Sequence, residues 1–175
     1  EVAQMSAAGV NVLANGAIIS GAANVLSEAR KLGMDLEAAM VWSEDMPLSV
    51  NLAAEAGYDY YVADYVALTG PANEAFLETA RKYVTEDEID AINRYTYVTY
   101  AALHAMAEAM RRCGEDLTRA CTIENLRQLE DFEVGGLMAP ISFNNEKQLS
   151  GTAVAVYQLD AETKTFTRLT EFEDF

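Results

Sequence analysis

The sequence predicts an α/β chain: a parallel sheet flanked by helices, with an antiparallel hairpin at its carboxyl-terminal end. Three observations predict it. Short apolar runs alternate with helical stripes as far as Asp90. A long helix pattern rich in apolar residues follows. The tail then returns to strand-like residues broken by one polar turn. Strands alternating with helices at this spacing are the mark of a parallel sheet, because each crossover needs a helix to bridge it.

The elements follow in order. Val10 to Ala14 reads as a short buried strand, and Asn15 to Ile19 as its exit loop. Ser20 is a good N-cap and Gly33 a good C′ residue. Between them Ala22, Val25, Leu26, Ala29 and Leu32 share one helix face, and Arg30 and Lys31 sit where cations suit the helix dipole. Ala38 to Trp42 is the second strand, with Ser43 to Pro47 leaving it. Ser49 caps a short helix that stops at Gly57, and Tyr58 to Tyr65 is the third strand. Pro71 opens a helix with Phe76, Ala80, Tyr83 and Val84 as its stripe. Asn93 to Arg112 is the long helix, ending at Gly114. His104, Glu108, Arg111 and Arg112 give it one polar face, and the remainder is apolar enough to predict heavy burial. Thr118 or Thr122 caps a further helix through Leu129. Leu137 to Phe143, Ala153 to Leu159 and Thr165 to Phe172 read as strands, the last two as a hairpin about Asp160 to Lys164.

Composition narrows the function. The chain has 175 residues, the length of one or two domains, and 51% of them are hydrophobic, enough for a core. Twelve Lys and Arg against 28 Asp and Glu leave a formal charge of −16, which repels nucleic acid and anionic lipid. No uncharged apolar run reaches the roughly 18–20 residues that span a bilayer. The first residue is Glu1 with no apolar run behind it, which reads as the absence of a signal peptide. The missing initiator Met reads as processing or an expression boundary. Cys113 and Cys121 are too few for a disulfide scaffold and, with one His, too few for a zinc site. A short turn between antiparallel helices would bring the two cysteines within disulfide reach, and pairing would imply an oxidising compartment. Two unrelated small residues are the alternative.

Candidate chemistry lies where parallel strands end, because ligands of open α/β sheets sit beyond the carboxyl edge. Those ends are Asn15 to Ser20 and Trp42 to Asp45. The N-terminus of the Ser20 helix offers free N–H groups to an anion, and Glu44 and Asp45 could hold an ammonium group. Ordinary capping and a solvated acidic loop are the plainer readings of the same residues. His104 shares its helix face with Glu108 and Arg111, as a solvated residue would. There is no nucleophile elbow, no GxGxxG and no Walker A sequence, and Gly135-Gly136 precedes a strand pattern, not a helix. No cofactor or metal is expected. Tyr58, Tyr60, Tyr61, Tyr65, Tyr95, Tyr97 and Tyr100 are expected mostly in the core, with one or two in a cleft.

Several stretches together resemble a known family. Asn11 to Gly33 (NVLANGAIISGAANVLSEARKLG) resembles the second-lobe βα unit of periplasmic type I solute-binding proteins, most closely the branched-chain amino-acid ABC-transporter branch. Tyr95 to Met110 (YTYVTYAALHAMAEAM) resembles that family's helix after the hinge crossing. Cys113 to Arg119 with Glu124-Asn125-Leu126 is similar to its next connection, and Gly135 to Phe143 (GGLMAPISF) with the terminal hairpin to its carboxyl-terminal end.

The resemblance implies a two-lobed clamshell about twice this length, of which this chain is the carboxyl-terminal half. Residues 1–92 would be part of lobe two, 93–131 a helical segment of lobe one, and 132–175 the return to lobe two. An amino-terminal half would be missing, and surfaces it covers would be left open to oligomerisation of this chain. Site residues implied by the match are Asn15, Ile18, Ile19, Ser20 and Trp42 around the first two strand ends, Glu44 for a ligand ammonium group, and Tyr95 and Tyr97 beside the hinge. Aromatic residues often stand in amino-acid binders where this chain has Ile18 and Ile19, so the ligand class stays open between amino acids and other small aromatic or aliphatic carboxylates. The implied function is the periplasmic or extracellular binding component of an ABC transporter. It would reach the membrane through its permease partner. A ligand-sensing receptor domain of the same fold is the alternative, and a small α/β enzyme is disfavoured because no nucleophile–base pair or metal cluster is legible.

Overall fold

The structure is a computed structural model that describes residues 1–16, 20–42, 47–143 and 153–173. The chain forms two compact units, Glu1–Asp64 with Ala155–Glu171, and Tyr65–Val154 with Phe172–Phe175. The helix opened by Pro71 keeps company with the later helices, its Phe76 ring standing edge-on to Tyr97 and Tyr100 at 5.1 and 4.9 Å.

The first unit holds α1 (Val2–Ala7), β1 (Val12–Asn15), α2 (Ser20–Lys31), β2 (Ala38–Trp42), α3 (Pro47–Ala56), β3 (Tyr60–Asp64), β4 (Ala155–Asp160) and β5 (Thr165–Arg168). The five strands lie in the order β1-β2-β3-β4-β5. β1, β2 and β3 run parallel, with Leu13 beside Ala39 and Val41 beside Val62. β4 runs antiparallel to β3, pairing Val62 with Tyr157, and β5 closes the hairpin. Side chains of β3 and β4 alternate buried and half-buried, and Tyr60, Val62, Ala155 and Tyr157 are fully buried. On α2, Ala22, Leu26 and Ala29 form the buried stripe that the spacing predicts. Gly33 follows at φ +67°, a left-handed position that glycine occupies without a Cβ clash.

One local expectation fails here, and one helix is unexpected. Ser49 does not cap a helix: it is the third residue of α3 and fully buried, and Pro47 opens the helix. Proline suits that place because its missing N–H would have no helical partner there. α1 was not foreseen, since it buries no residue and so shows no apolar stripe. The hairpin turn is held by Asp160, whose carboxylate accepts the N–H groups of Glu162 and Thr163 at 2.9 Å each. Lys164 ties the same turn to α3 through Asn51, 2.6 Å from Nζ to Oδ1.

The second unit holds α4 (Pro71–Ala80), α5 (Glu86–Asp90), α6 (Arg94–Cys113) and α7 (Arg119–Arg127). Asn93 caps α6 by accepting the Tyr95 N–H at 3.0 Å, and Thr118 caps α7 by accepting the Cys121 N–H at 3.2 Å. α5 was not foreseen, although Thr85 and Glu88 form its reciprocal capping box. A disulfide joins Cys113 to Cys121, with 5.9 Å between their Cα atoms, and ties the end of α6 to the start of α7. The core gathers Ala101 and Ala105 of α6 with Leu129, Val134, Met138 and Ile141. Among the described residues no helix is long and apolar enough to cross a membrane.

Three further expectations are corrected in this unit. α6 is not buried all round: Tyr97, Ala101, Ala105 and Ala109 form one buried stripe, while Leu103 is 62% exposed. The stripe on α4 does not run to Val84, because the helix ends at Ala80 and Tyr83 stands 82% exposed. Residues 137–143 are not a strand. Gly135 and Gly136 turn the chain at φ +62° and +77°, Pro140 lacks a ladder donor, and only Ile141 bridges, to Phe132.

The polar face of α6 is an ion-paired cluster. Arg111 donates to both oxygens of Glu108 at 2.8 and 2.9 Å, and Arg112 adds a third bond at 2.9 Å. The hydrogen bonds from Arg111 and then Arg112 hold the Glu108 carboxyl at about 2, down from 4.5.

Three measurements test this account. Leu26→Ala should cost about 2–5 kcal/mol in denaturant unfolding, as emptying a closed core site does, while Leu32→Ala at 43% exposure should change little. Reducing the Cys113–Cys121 bond, which closes a span of 8 residues, should lower stability by about 2.5 kcal/mol, and the Cys113→Ser, Cys121→Ser double variant should melt with the reduced protein. Carbon-detected NMR should show Glu108 titrating near 2. Its carboxyl is depressed in the folded state, so its stabilisation is complete above about 4.5 and drains as pH falls toward 2, and Glu108→Gln should remove that part of the pH dependence.

Candidate functional site

The parallel register brings the ends of three strands to one edge. Asn15 pairs with Val41 and Trp42 with Ala63, so Asn15, Trp42 and Asp64 terminate β1, β2 and β3 along the same carboxyl edge. Asn15 is half-buried there, and Ser20 opens α2 on the connection that leaves β1. The first turn of α2 therefore begins at that edge with N–H groups that have no partner inside the helix. An edge of this kind is where open α/β sheets can hold a small polar solute, by hydrogen bonds to free backbone N–H groups.

Asn15, Ser20 and Trp42 thus share one edge of the first unit. Ile18, Ile19, Glu44 and Asp45 lie outside the described residues. Tyr95 and Tyr97 belong to the second unit, in the first turn of α6, and the helix period separates them. Tyr97 is 6% exposed and packs edge-on against Phe76, so it is a core residue of that unit. Tyr95 is 46% exposed.

Two residues at these places escaped the sequence reading. Asp64 ends β3 fully buried. Its signal was its position as the last alternating residue of the Tyr58 to Tyr65 run. Arg94 is 5% exposed, and its guanidinium sits 4.8 Å from the Tyr65 ring and 5.0 Å from the Tyr95 ring. An arginine between two aromatic faces keeps its charge while its flat surfaces are covered. The only hint in the sequence was its place before Tyr95.

The second unit also carries apolar hollows. One of about 480 Å³ lies among α4, α5 and α6, with Phe76, Tyr83, Val84 and Ile92 in its walls. Another of about 540 Å³ shares Phe76, Thr96 and Tyr100 with it. His104 is exposed, with its ring 4.3 Å from that of Tyr100. Among the described residues no three His, Cys, Asp or Glu side chains are grouped to hold a metal ion.

Comparison with known proteins fits this geometry. A family model described as periplasmic binding protein matches residues 1–164. No match was found among curated proteins. Among solved structures, the chain is similar to a branched-chain amino-acid ABC transporter protein from Thermus thermophilus with bound valine. The TM-score is 0.78 at 17% identity, over 99% of this chain and 48% of that one. It is also similar to a leucine-binding protein, LivK, from Thermotoga maritima, with a TM-score of 0.73 at 17% identity over 98% of this chain and 48% of that one. A solute-binding protein from R. palustris in complex with benzoate gives 0.70 at 10% identity, over 99% and 47%. The chain spans about half the length of each. These likenesses show the periplasmic-binding-protein type I fold, a helix-flanked sheet that is parallel through β3 and antiparallel at β4 and β5. With the family match over most of its length, the chain belongs to the periplasmic binding protein family.

Proposed function

We propose that this chain is the carboxyl-terminal half of a solute-binding protein that serves an ABC transporter outside the cytoplasm. It binds an amino acid or a related small carboxylic compound in a cleft between two lobes, releases it unchanged, and delivers it to a membrane permease. The observation that carries this reading is the family match over residues 1–164, joined to the shared carboxyl edge of β1, β2 and β3. The range of solutes named for similar structures, valine and benzoate among them, supports a carboxylate-bearing ligand as the common denominator.

In this reading the strand-edge residues Asn15, Ser20 and Trp42 contact ligand, together with Ile18, Ile19 and Glu44 from the loops between them. Glu44 takes the ammonium group of an amino acid, and Tyr95 lies beside the hinge. The first unit is the greater part of one lobe. The helices of the second complete the other lobe together with an amino-terminal half. Closure of two lobes removes water from the ligand, so binding strength resides in the closed form and either half alone binds poorly. A Cys113–Cys121 disulfide suits the oxidising space outside the inner membrane.

Isothermal titration of the parent polypeptide that contains this chain should give micromolar affinity for at least one of valine, leucine, phenylalanine and benzoate. Trp42→Ala or Glu44→Gln in that polypeptide should weaken binding by tenfold or more, about 1.4 kcal/mol. The 175-residue chain alone should bind the same solute at least a hundredfold more weakly. Full affinity in the lone chain would refute the two-lobe cleft, and a parent polypeptide silent toward every carboxylate would refute the ligand class.

A further inference from the structure

The Cys113–Cys121 disulfide joins two electrostatically opposite places. Cys113 is the last residue of α6, and Cys121 lies in the first turn of α7. Both are half-buried, and Gly114 to Ala120 between them are exposed, so the bond lies at the surface. The start of a helix favours negative charge and its end disfavours it. Neighbouring groups act in the same sense. Asn125 Nδ2 donates to Cys121 Sγ at 3.3 Å, closer than the 3.5 Å that separates it from Cys113 Sγ. The same amide donates to the Cys121 carbonyl at 3.0 Å, which holds it in place. Cys113 Sγ stands 3.5 Å from the Ala109 carbonyl oxygen, an acceptor that suits a thiol proton and repels a thiolate. Arg111 and Arg112, next to Cys113, both reach back along α6 to Glu108. A negative charge is therefore held better on Cys121 than on Cys113.

A disulfide under attack by a thiolate splits toward the sulfur that leaves more easily with the charge. We propose that this bond is a modification site for small thiols with a fixed direction: the thiol joins Cys113, and Cys121 is released. The thiolate of the small thiol attacks Cys113 Sγ. A new sulfur–sulfur bond forms there, the Sγ–Sγ bond breaks, and its electron pair leaves on Cys121 Sγ. The incoming sulfur is oxidised as the Cys121 sulfur is reduced, so the exchange consumes no other oxidant or reductant. The product carries a mixed disulfide at the end of α6 and a thiolate at the start of α7. Cys121 then stands beside the mixed disulfide and restores the original bond when the small thiol is withdrawn.

Reduced glutathione is the probe. The folded chain, its disulfide intact, is treated briefly, quenched with acid and N-ethylmaleimide, and digested with trypsin. Cleavage after Arg112, Arg119 and Arg127 puts Cys113 and Cys121 on separate peptides. Glutathione should sit on the Cys113 peptide and maleimide on the Cys121 peptide, in about tenfold excess over the reverse pair. Urea should abolish that excess, because folded helix ends and a placed amide create it. Asn125→Ala should cut it severalfold with the melting curve kept. The fully reduced chain gives a second reading from the same peptides, and it decides if only dithiol is recovered. Limiting iodoacetamide at neutral pH should label Cys121 about tenfold ahead of Cys113. Equal products, or the reverse pair in excess, would overturn the direction. A disulfide that stays closed at glutathione concentrations that open it in urea would overturn the site itself.

Discussion

The antiparallel pairing of β3 with β4 is the constraint on which the remaining architecture depends. The chain leaves the sheet at Asp64 and re-enters it at Ala155, and those two residues face each other across the ladder. Everything from Tyr65 to Val154 is thus an excursion whose two ends are fixed side by side. Closing so long a loop costs entropy before any contact rewards it. The offset comes from the most completely buried surface of the first unit. Tyr60 and Val62 of β3 and Ala155 and Tyr157 of β4 are all inaccessible to solvent, and none of them is a poor strand former except alanine.

That pairing also decides where the parallel strands can offer a site. β1 joins the sheet through β2, and β2 through β3, by parallel ladders that need a helix to return the chain between strands. The helices α2 and α3 fill that role, and each parallel strand therefore points the same way and ends on the same edge. Asn15, Trp42 and Asp64 meet there as a consequence of direction, not of any local motif. Asp64 belongs at once to the edge and to the anchoring ladder.

The second unit is organised on a different principle. Ala101, Ala105 and Ala109 give α6 a smooth stripe on which neighbours approach closely, and Leu129, Met138 and Ile141 fill the space that the small side chains leave. The disulfide at the end of α6 and the Thr118 cap fix the turn into α7. Asn125 reinforces it by donating to the Cys121 carbonyl at 3.0 Å. Tyr95, Leu103, Met106 and Met110 of α6 lie on its other side and are exposed. A helix of this composition looks fully buried when read by hydropathy, because hydropathy records the side chains and not the layer that would cover them.

The order of β1 to β5 with α2, α3, α4, α6 and α7, the Gly33 stop, the Pro71 start, Thr118 as one of two candidate caps and the terminal hairpin were legible in the residues. Each depends on backbone chemistry within a few positions: φ freedom at glycine, a missing donor at proline, a hydroxyl one turn from an N–H. The strand ends at Asn15 and Trp42 were legible for the same reason. Failure came where distant chain decides. Ser49 has the chemistry of a cap, yet it is buried inside α3. Residues 137–143 have a strand's apolarity without a strand's partner, and α1 and α5 lack the stripe that announces a packed helix. Arg94 between Tyr65 and Tyr95, and Asp64 opposite Ala155, join residues far apart in sequence, and no period in one dimension encodes such a meeting. Local propensity thus determined most kinds of element and their order. Only the three-dimensional packing decided which faces were covered, because burial belongs to pairs of surfaces and a sequence states them one at a time.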